Sequence, residues 1–184
     1  MLDLLFERIP GLRKNWSDCQ RLFTEINVRA KATLLREGEV SRKMFLVKKG
    51  CLRAFVENHD KEVTFQFFFE NEMVASIESF RSRLPSPISI QSIEPSELIV
   101  LTRNGFETLL NDFPEFKDIL LEIAFKRFGQ YARLFLSHLR NNPRQRYEEL
   151  LKEDPRIVKR VPQHLIASYL GITPVSLSRI RRKI

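Results

Sequence analysis

With 184 residues, 43% of them apolar, the chain has material for one large or two small packed domains, which excludes a disordered polypeptide. Its 31 Lys and Arg outnumber 23 Asp and Glu, a net charge of +8 that favours a polyanionic partner. No apolar run approaches the roughly 18 residues of a membrane span, and the two cysteines, Cys19 and Cys51, form neither a disulfide framework nor a metal-ligand spacing.

The opening run Met1-Leu2-Asp3-Leu4-Leu5-Phe6-Glu7-Arg8 is charged too early for a secretory signal, so a cytoplasmic, reducing location is expected. Residues 1–31 read as helical: Leu4, Leu5, Ile9, Leu12, Leu22, Phe23 and Ile26 recur at mixed three- and four-residue spacing, broken by Pro10-Gly11. Residues 32–102 change character. Short β-rich runs (33–35, 44–47, 52–56, 62–69, 88–93 and 98–101) are punctuated by Gly38, Gly50 and Asn58-His59-Asp60, which argues for a small antiparallel barrel or sandwich.

A short helix is expected over 103–111, then a long one from Phe113 to about Arg140, spanning roughly 40 Å. The long helix carries two apolar stripes, and a helix must bury both. One, with Phe116, Leu120, Ile123, Ala124, Tyr131 and Leu134, is assigned to a partner of the same kind; the second includes Leu121, Phe125, Ala132, Leu136 and Leu139. Asn141-Asn142-Pro143 breaks this helix, Arg144–Lys152 resumes as a helix, Asp154-Pro155 turns, and Val161-Pro162 leads into the tail.

The tail, 163–184, reads as two short helices around a tight turn. Ala167 is small where helices cross closely, and Gly171 sits where the first helix must stop in the left-handed conformation. Thr173 is a good N-cap with Pro174 at the first helical position. Ile166, Leu170, Ile172, Leu177 and Ile180 form the inner face; Val175, Ser176, Arg179 and Arg182 face outward, as on a helix that enters a DNA major groove. Charge supports this over a generic helical hairpin: residues 141–184 hold ten basic and four acidic residues, so most of the net charge lies beside the motif. His59, His138 and His164 are scattered and are expected to be surface or packing residues, so no metal site is expected. No nucleophile–base constellation or phosphate-cradling glycine loop is present, so an enzyme is not expected.

On the tail Val161–Pro174, on Arg146-Tyr147 with Leu150, and on Arg36-Glu37-Gly38-Glu39 and Val47–Phe55, the sequence resembles the Crp–Fnr (cyclic-AMP receptor protein) family of bacterial transcription regulators. The resemblance implies an α+β fold: a cyclic-nucleotide-binding-like antiparallel β-roll sensor domain with flanking helices (1–111), a long dimerisation helix (112–140) and a helix-turn-helix DNA-binding domain (141–184). It implies a homodimer on a palindromic site, with half-sites roughly 34 Å apart, and RNA polymerase as a candidate further partner. Arg179 matches the family's base-reading arginine; Gln163, His164, Thr173, Ser176, Arg182 and Lys183 are placed near phosphate.

Three departures bear on mechanism. The positions aligned with the family's phosphate cradle, a Gly-Glu pair and an Arg-Ser/Thr pair, hold Ala75-Ser76 and Ser86-Pro87, which lack the Arg fork and one backbone N–H that a cyclic phosphate wants. Cyclic AMP is therefore not expected, and any other effector would lie near Val74, Ala75, Ser76, Arg81, Arg83 and Ser86. An iron–sulfur cluster would need about four cysteines, and no histidine is singled out for haem. Val175 stands where the family often has Glu, so apolar contact replaces a cytosine contact. The sequence ends at Ile184, leaving little or no wing. The expectation is a DNA-binding transcription regulator with no resident cofactor; the alternative is a ligand-binding or protein-interaction module whose helix-turn-helix no longer reads DNA.

Overall fold

The computed structural model describes residues 2–59 and 61–183, with the side chains of Leu5 onward. Met1, the Asp60 of the predicted turn and the terminal Ile184 lie outside the described residues, as does the side chain of Leu4. Two four-stranded antiparallel sheets pack face to face. The strands are β1 (Phe23–Val28), β2 (Thr33–Leu35), β3 (Lys43–Lys49), β4 (Leu52–Asn58), β5 (Lys61–Phe68), β6 (Met73–Val74), β7 (Ser89–Ser92) and β8 (Ser96–Thr102). The first sheet runs β1-β8-β3-β6 and the second β2-β7-β4-β5.

Helices flank both sheets. Ahead of them lie α1 (Leu2–Arg8), α2 (Pro10–Lys14) and α3 (Trp16–Cys19); α4 (Ile77–Ser82) joins β6 to β7. After β8 come α5 (Arg103–Asp112), α6 (Glu115–Arg140), α7 (Pro143–Glu153), α8 (Pro155–Arg160), α9 (Gln163–Tyr169) and α10 (Pro174–Arg181). Among the described residues no helix is long and apolar enough to cross a membrane.

Three apolar cores are stacked through the molecule. Phe45, Val47, Leu52, Ala54, Phe68, Ile90, Leu98 and Val100 fill the space between the sheets. The outer face of the first sheet, through Met44 and Leu101, packs on Leu5, Ile9, Leu12, Leu109, Phe113, Phe116 and Ile119. The outer face of the second, through Cys51, Phe67 and Phe69, packs on the C-terminal helices. Strands covered on both sides need continuous apolar runs rather than alternation. Phe67-Phe68-Phe69 is such a run: Phe68 points between the sheets, while its neighbours point to the C-terminal module.

The reading of 1–31 as wholly helical is corrected at its end. Residues 23–28 form β1, an outer strand of the first sheet paired with β8, and Phe23 and Ile26, read as helical, lie half-buried along a strand. The short β6, α4 and α8 join the expected elements. Gly50 is obligatory by geometry: at φ +109°, an added Cβ would lie 2.8 Å from the Ser96 backbone.

Candidate DNA-binding surface

The two tail helices are held by local chemistry that the sequence specifies. The N–H of Ile172 bonds the Ala167 carbonyl (2.9 Å) and that of Gly171 the Ser168 carbonyl (3.0 Å), closing α9 with Gly171 at φ +66°. Thr173 Oγ1 accepts the Ser176 N–H (3.1 Å), with Pro174 at the first position of α10. Ala167 and Leu177 are fully buried, and Leu165, Ile166 and Leu170 complete the inner face.

The outward face of α10 presents Val175, 60% exposed, beside exposed Arg179, with exposed Arg182 and Lys183 at its end. Ser176 is half-buried and its hydroxyl lies 3.0 Å from that of Thr173; one of the two shares its proton with the other, which leaves one O–H free to donate. Gln163 and His164 are exposed at the start of α9. Arg144, Arg156 and Arg160 are ion-paired with Glu148, Asp154 and Glu70. By contrast, Arg179, Arg181, Arg182 and Lys183 have no ion-pair partner among the described residues, so their charge is available to a polyanion.

Contacts from other elements orient the pair. Arg146 on α7 donates to the Leu170 carbonyl (3.2 Å) and to the Asn141 carbonyl (2.8 Å), tying the end of α9 to the end of α6. Asn142 and Gln145 form a reciprocal cap that starts α7. Ser168 Oγ accepts the Thr64 N–H (3.0 Å) and donates to the Glu62 carbonyl (2.9 Å), so a side chain of α9 satisfies the outer strand β5. The rings of Phe67 and Tyr169 stand 5.2 Å apart, and burial pushes the Tyr169 hydroxyl up to about 12. Ser168 and Tyr169 carry no sequence signature of this role, because their partners are remote in the chain.

The six residues named for an effector differ in their surroundings. Val74 is buried between the sheets, Ala75 is half-buried, and Arg81 and Arg83 are exposed. Ser76 is buried at the start of α4, where its side chain makes no capping bond. Ser86 is buried with its hydroxyl committed to the Ile88 carbonyl (2.7 Å) and the Ile88 N–H (3.2 Å). A cavity of about 460 Å³ lies elsewhere, between α6, α7 and β5, lined by Gln66, Gln130, Arg133, Ser137, Arg146 and Tyr169 among others. Among the described residues no cluster of three His, Cys, Asp or Glu could hold a metal ion.

The stripe of α6 assigned to a partner is largely covered within the chain. Phe116 is fully buried against the chain's own helices, with Leu120 and Ile123 packed on the same core. Tyr131 reaches Phe65 of β5 at 6.3 Å between ring centroids, and Leu134 lines the cavity. Of the predicted partner face Ala124 and Tyr131 are exposed. The second stripe is more open: Leu121, Phe125, Leu136 and Leu139 are exposed with Ala132 half-buried between them, and Phe128 and Phe135 are exposed beside it.

In sequence, residues 25–113 match the model of the cyclic nucleotide-binding domain. This stretch belongs to the cyclic nucleotide-binding domain family. No curated protein matches the chain by sequence. In structure, the domain and the helices after it together align with FixK2 from Bradyrhizobium japonicum at TM-score 0.76 and 17% identity, over 88% of this chain and 83% of that one. The c-di-GMP responsive global regulator CLP of Xanthomonas campestris aligns at 0.73 and 17%, over 95% and 90%. A protein from Eubacterium rectale assigned to the Crp/Fnr family aligns at 0.69 and 18%, over 92% and 85%. The two sheets, long helix and C-terminal helices of this chain therefore share one fold with these three structures.

Proposed function

We propose that the chain is a sequence-specific, DNA-binding transcription regulator of the Crp–Fnr type that acts as a homodimer on a two-fold symmetric site. The observation that carries this reading is the outward face of α10, where unpaired cations surround Val175 and Arg179 on a capped helix whose inner face is locked to α9. Arg179 would read a guanine edge and Val175 a thymine methyl, while Thr173, Ser176, Arg182, Lys183 and the start of α9 at Gln163 and His164 would hold phosphate.

The partner of α6 is a second copy. Leu121, Phe125, Phe128, Ala132, Phe135 and Leu139 follow one another at alternating spacings of four and three, the repeat of a two-helix seam. Such a seam is self-complementary, and leaving five large apolar side chains in water on one helix face is costly.

The cyclic nucleotide-binding domain is here a scaffold that takes no cyclic AMP: the Ser86 hydroxyl is spent on its own backbone, Pro87 offers no N–H, and Arg81 and Arg83 are exposed. The test is selection of bound fragments from genomic DNA by ligand-free protein, then a salt titration on the best site. A two-fold symmetric site with a steep salt slope is expected. Absence of enrichment would favour a module that no longer reads DNA.

A further inference from the structure

Three arginines from two helices converge on one turn of the β-roll. The turn runs Phe68-Phe69-Glu70-Asn71-Glu72, between β5 and β6. Arg127 of α6 lies over the Phe68 ring (4.7 Å) and bonds Glu72 (3.3 Å). Arg156 of α8 lies over Phe69 (4.4 Å) and approaches Glu72 (3.5 Å). Arg160 also faces Phe69 (5.1 Å), grips Glu70 through both terminal nitrogens (2.8 and 2.7 Å), and bonds Glu94. Glu70 in turn accepts the Gly50 N–H (2.9 Å), so Arg160 is braced against the β3–β4 turn as well.

Each guanidinium is thus stacked on a Phe and paired with a Glu, a geometry an aliphatic contact does not fix. Apolar burial of Phe67 and Phe69 holds the C-terminal module against the sheet but is non-directional. The fork geometry and the Ser168 hydroxyl on β5 supply the orientation. The covalent link is two extended residues, Asn141 and Asn142, after which a new helix starts, so orientation is not set by the chain itself. The side chains of Arg127, Arg156 and Arg160 are 18%, 46% and 30% exposed, so dissolved ions reach them.

We propose that the β5–β6 turn is a latch: Arg156 and Arg160 clamp the C-terminal helices to the cyclic nucleotide-binding domain in one orientation while Arg127 fixes the same turn to α6, and ionic strength opens it. For DNA this rests on the regulator reading above. The latched form is the binding form, because it leaves α10 outward while fixing where a dimer places its two copies. Opening lets the module move independently and weakens two-fold recognition.

The test uses the full chain without DNA. The Thr64 N–H, bonded to Ser168 on an outer strand, reports docking through its hydrogen exchange. In Arg160→Met, and in the unmodified chain at high salt, that exchange should quicken on the order of tenfold while amides of the central strand β8 stay protected. If Arg160→Met unfolds the chain, seen as loss of β8 protection, Glu94→Gln serves as the milder variant. Unchanged Thr64 exchange in a folded variant and across salt would overturn the latch. Arg160→Met should also bind the selected two-fold site on the order of tenfold more weakly, with single half-site binding unaltered. Equal two-fold affinity despite faster Thr64 exchange would overturn the link to DNA. Should the unmodified chain bind no DNA, the regulator reading falls while the exchange result still decides the latch.

Discussion

In the proposed reading, Arg179 and Val175 would divide the recognition of a half-site between a polar and an apolar contact. A guanidinium can bond guanine O6 and N7 together, worth about 1–3 kcal/mol of discrimination. Arg179→Ala is therefore expected to cost that much specific affinity and to relax preference at one base pair per half-site, measured by competition among single-position variants of the selected site. Equal weakening on all sequences would place Arg179 on phosphate instead. At this scale the sequence was highly legible. Gly171, Thr173 and Pro174 are local devices whose function depends on neighbours three or four residues away, and each occupies the role read for it. Arg146, Ser168 and Tyr169 were not legible as positioning residues, because what they touch (Asn141, Leu170, Thr64, Phe67) is set by how the elements meet.

On α6 the periodicity revealed two apolar faces but not which one turns inward. That choice belongs to the sheets and the N-terminal helices, which cover Phe116, Ile119 and Leu120 and leave Phe125, Phe128 and Phe135 open. The difference is testable on one helix. Phe128→Glu places a charge in the proposed seam and is expected to shift the protein from dimer to monomer in sedimentation with little loss of fold. Leu120→Glu buries a charge in the chain's own core and is expected to lower thermal stability instead, by several kcal/mol. A dimer that survives Phe128→Glu would remove the seam. The strands show the same boundary between local and remote information. Runs such as 44–47 and 98–101 announced themselves by composition, whereas β1 was read as helix because Leu22, Phe23 and Ile26 fall at helical spacing, and only pairing with β8 decides. Residues 155–160 carry a legible start, Asp154 capping ahead of Pro155, yet α8 is short enough to pass for a turn.

Across the whole molecule, the third core makes the helix-turn-helix and the β-roll share apolar interior, so the division at residue 141 that composition suggests is not a division of packing. Charge at that junction gives it a distinctive response to acid. The Arg160 fork, the largest influence, holds Glu70 down at about 2, aided by the Gly50 N–H and against the effect of burial. A carboxylate lowered in the fold contributes stability above its unfolded value of about 4.3, and that contribution is lost as pH falls toward the folded value. Neutral and mildly acidic solution should therefore leave this contact intact, in contrast to salt. Glu70→Gln is expected to be less stable than the unmodified chain at pH 7 by thermal melting. The gap should narrow once pH drops below the unfolded value and close only below the folded value, where both chains carry a neutral side chain at position 70. A gap that stays constant over that range would mean that Glu70 acts through shape and hydrogen bonding rather than through charge, and the coupling of the two halves would then rest on Phe67, Phe69 and the Ser168 hydroxyl.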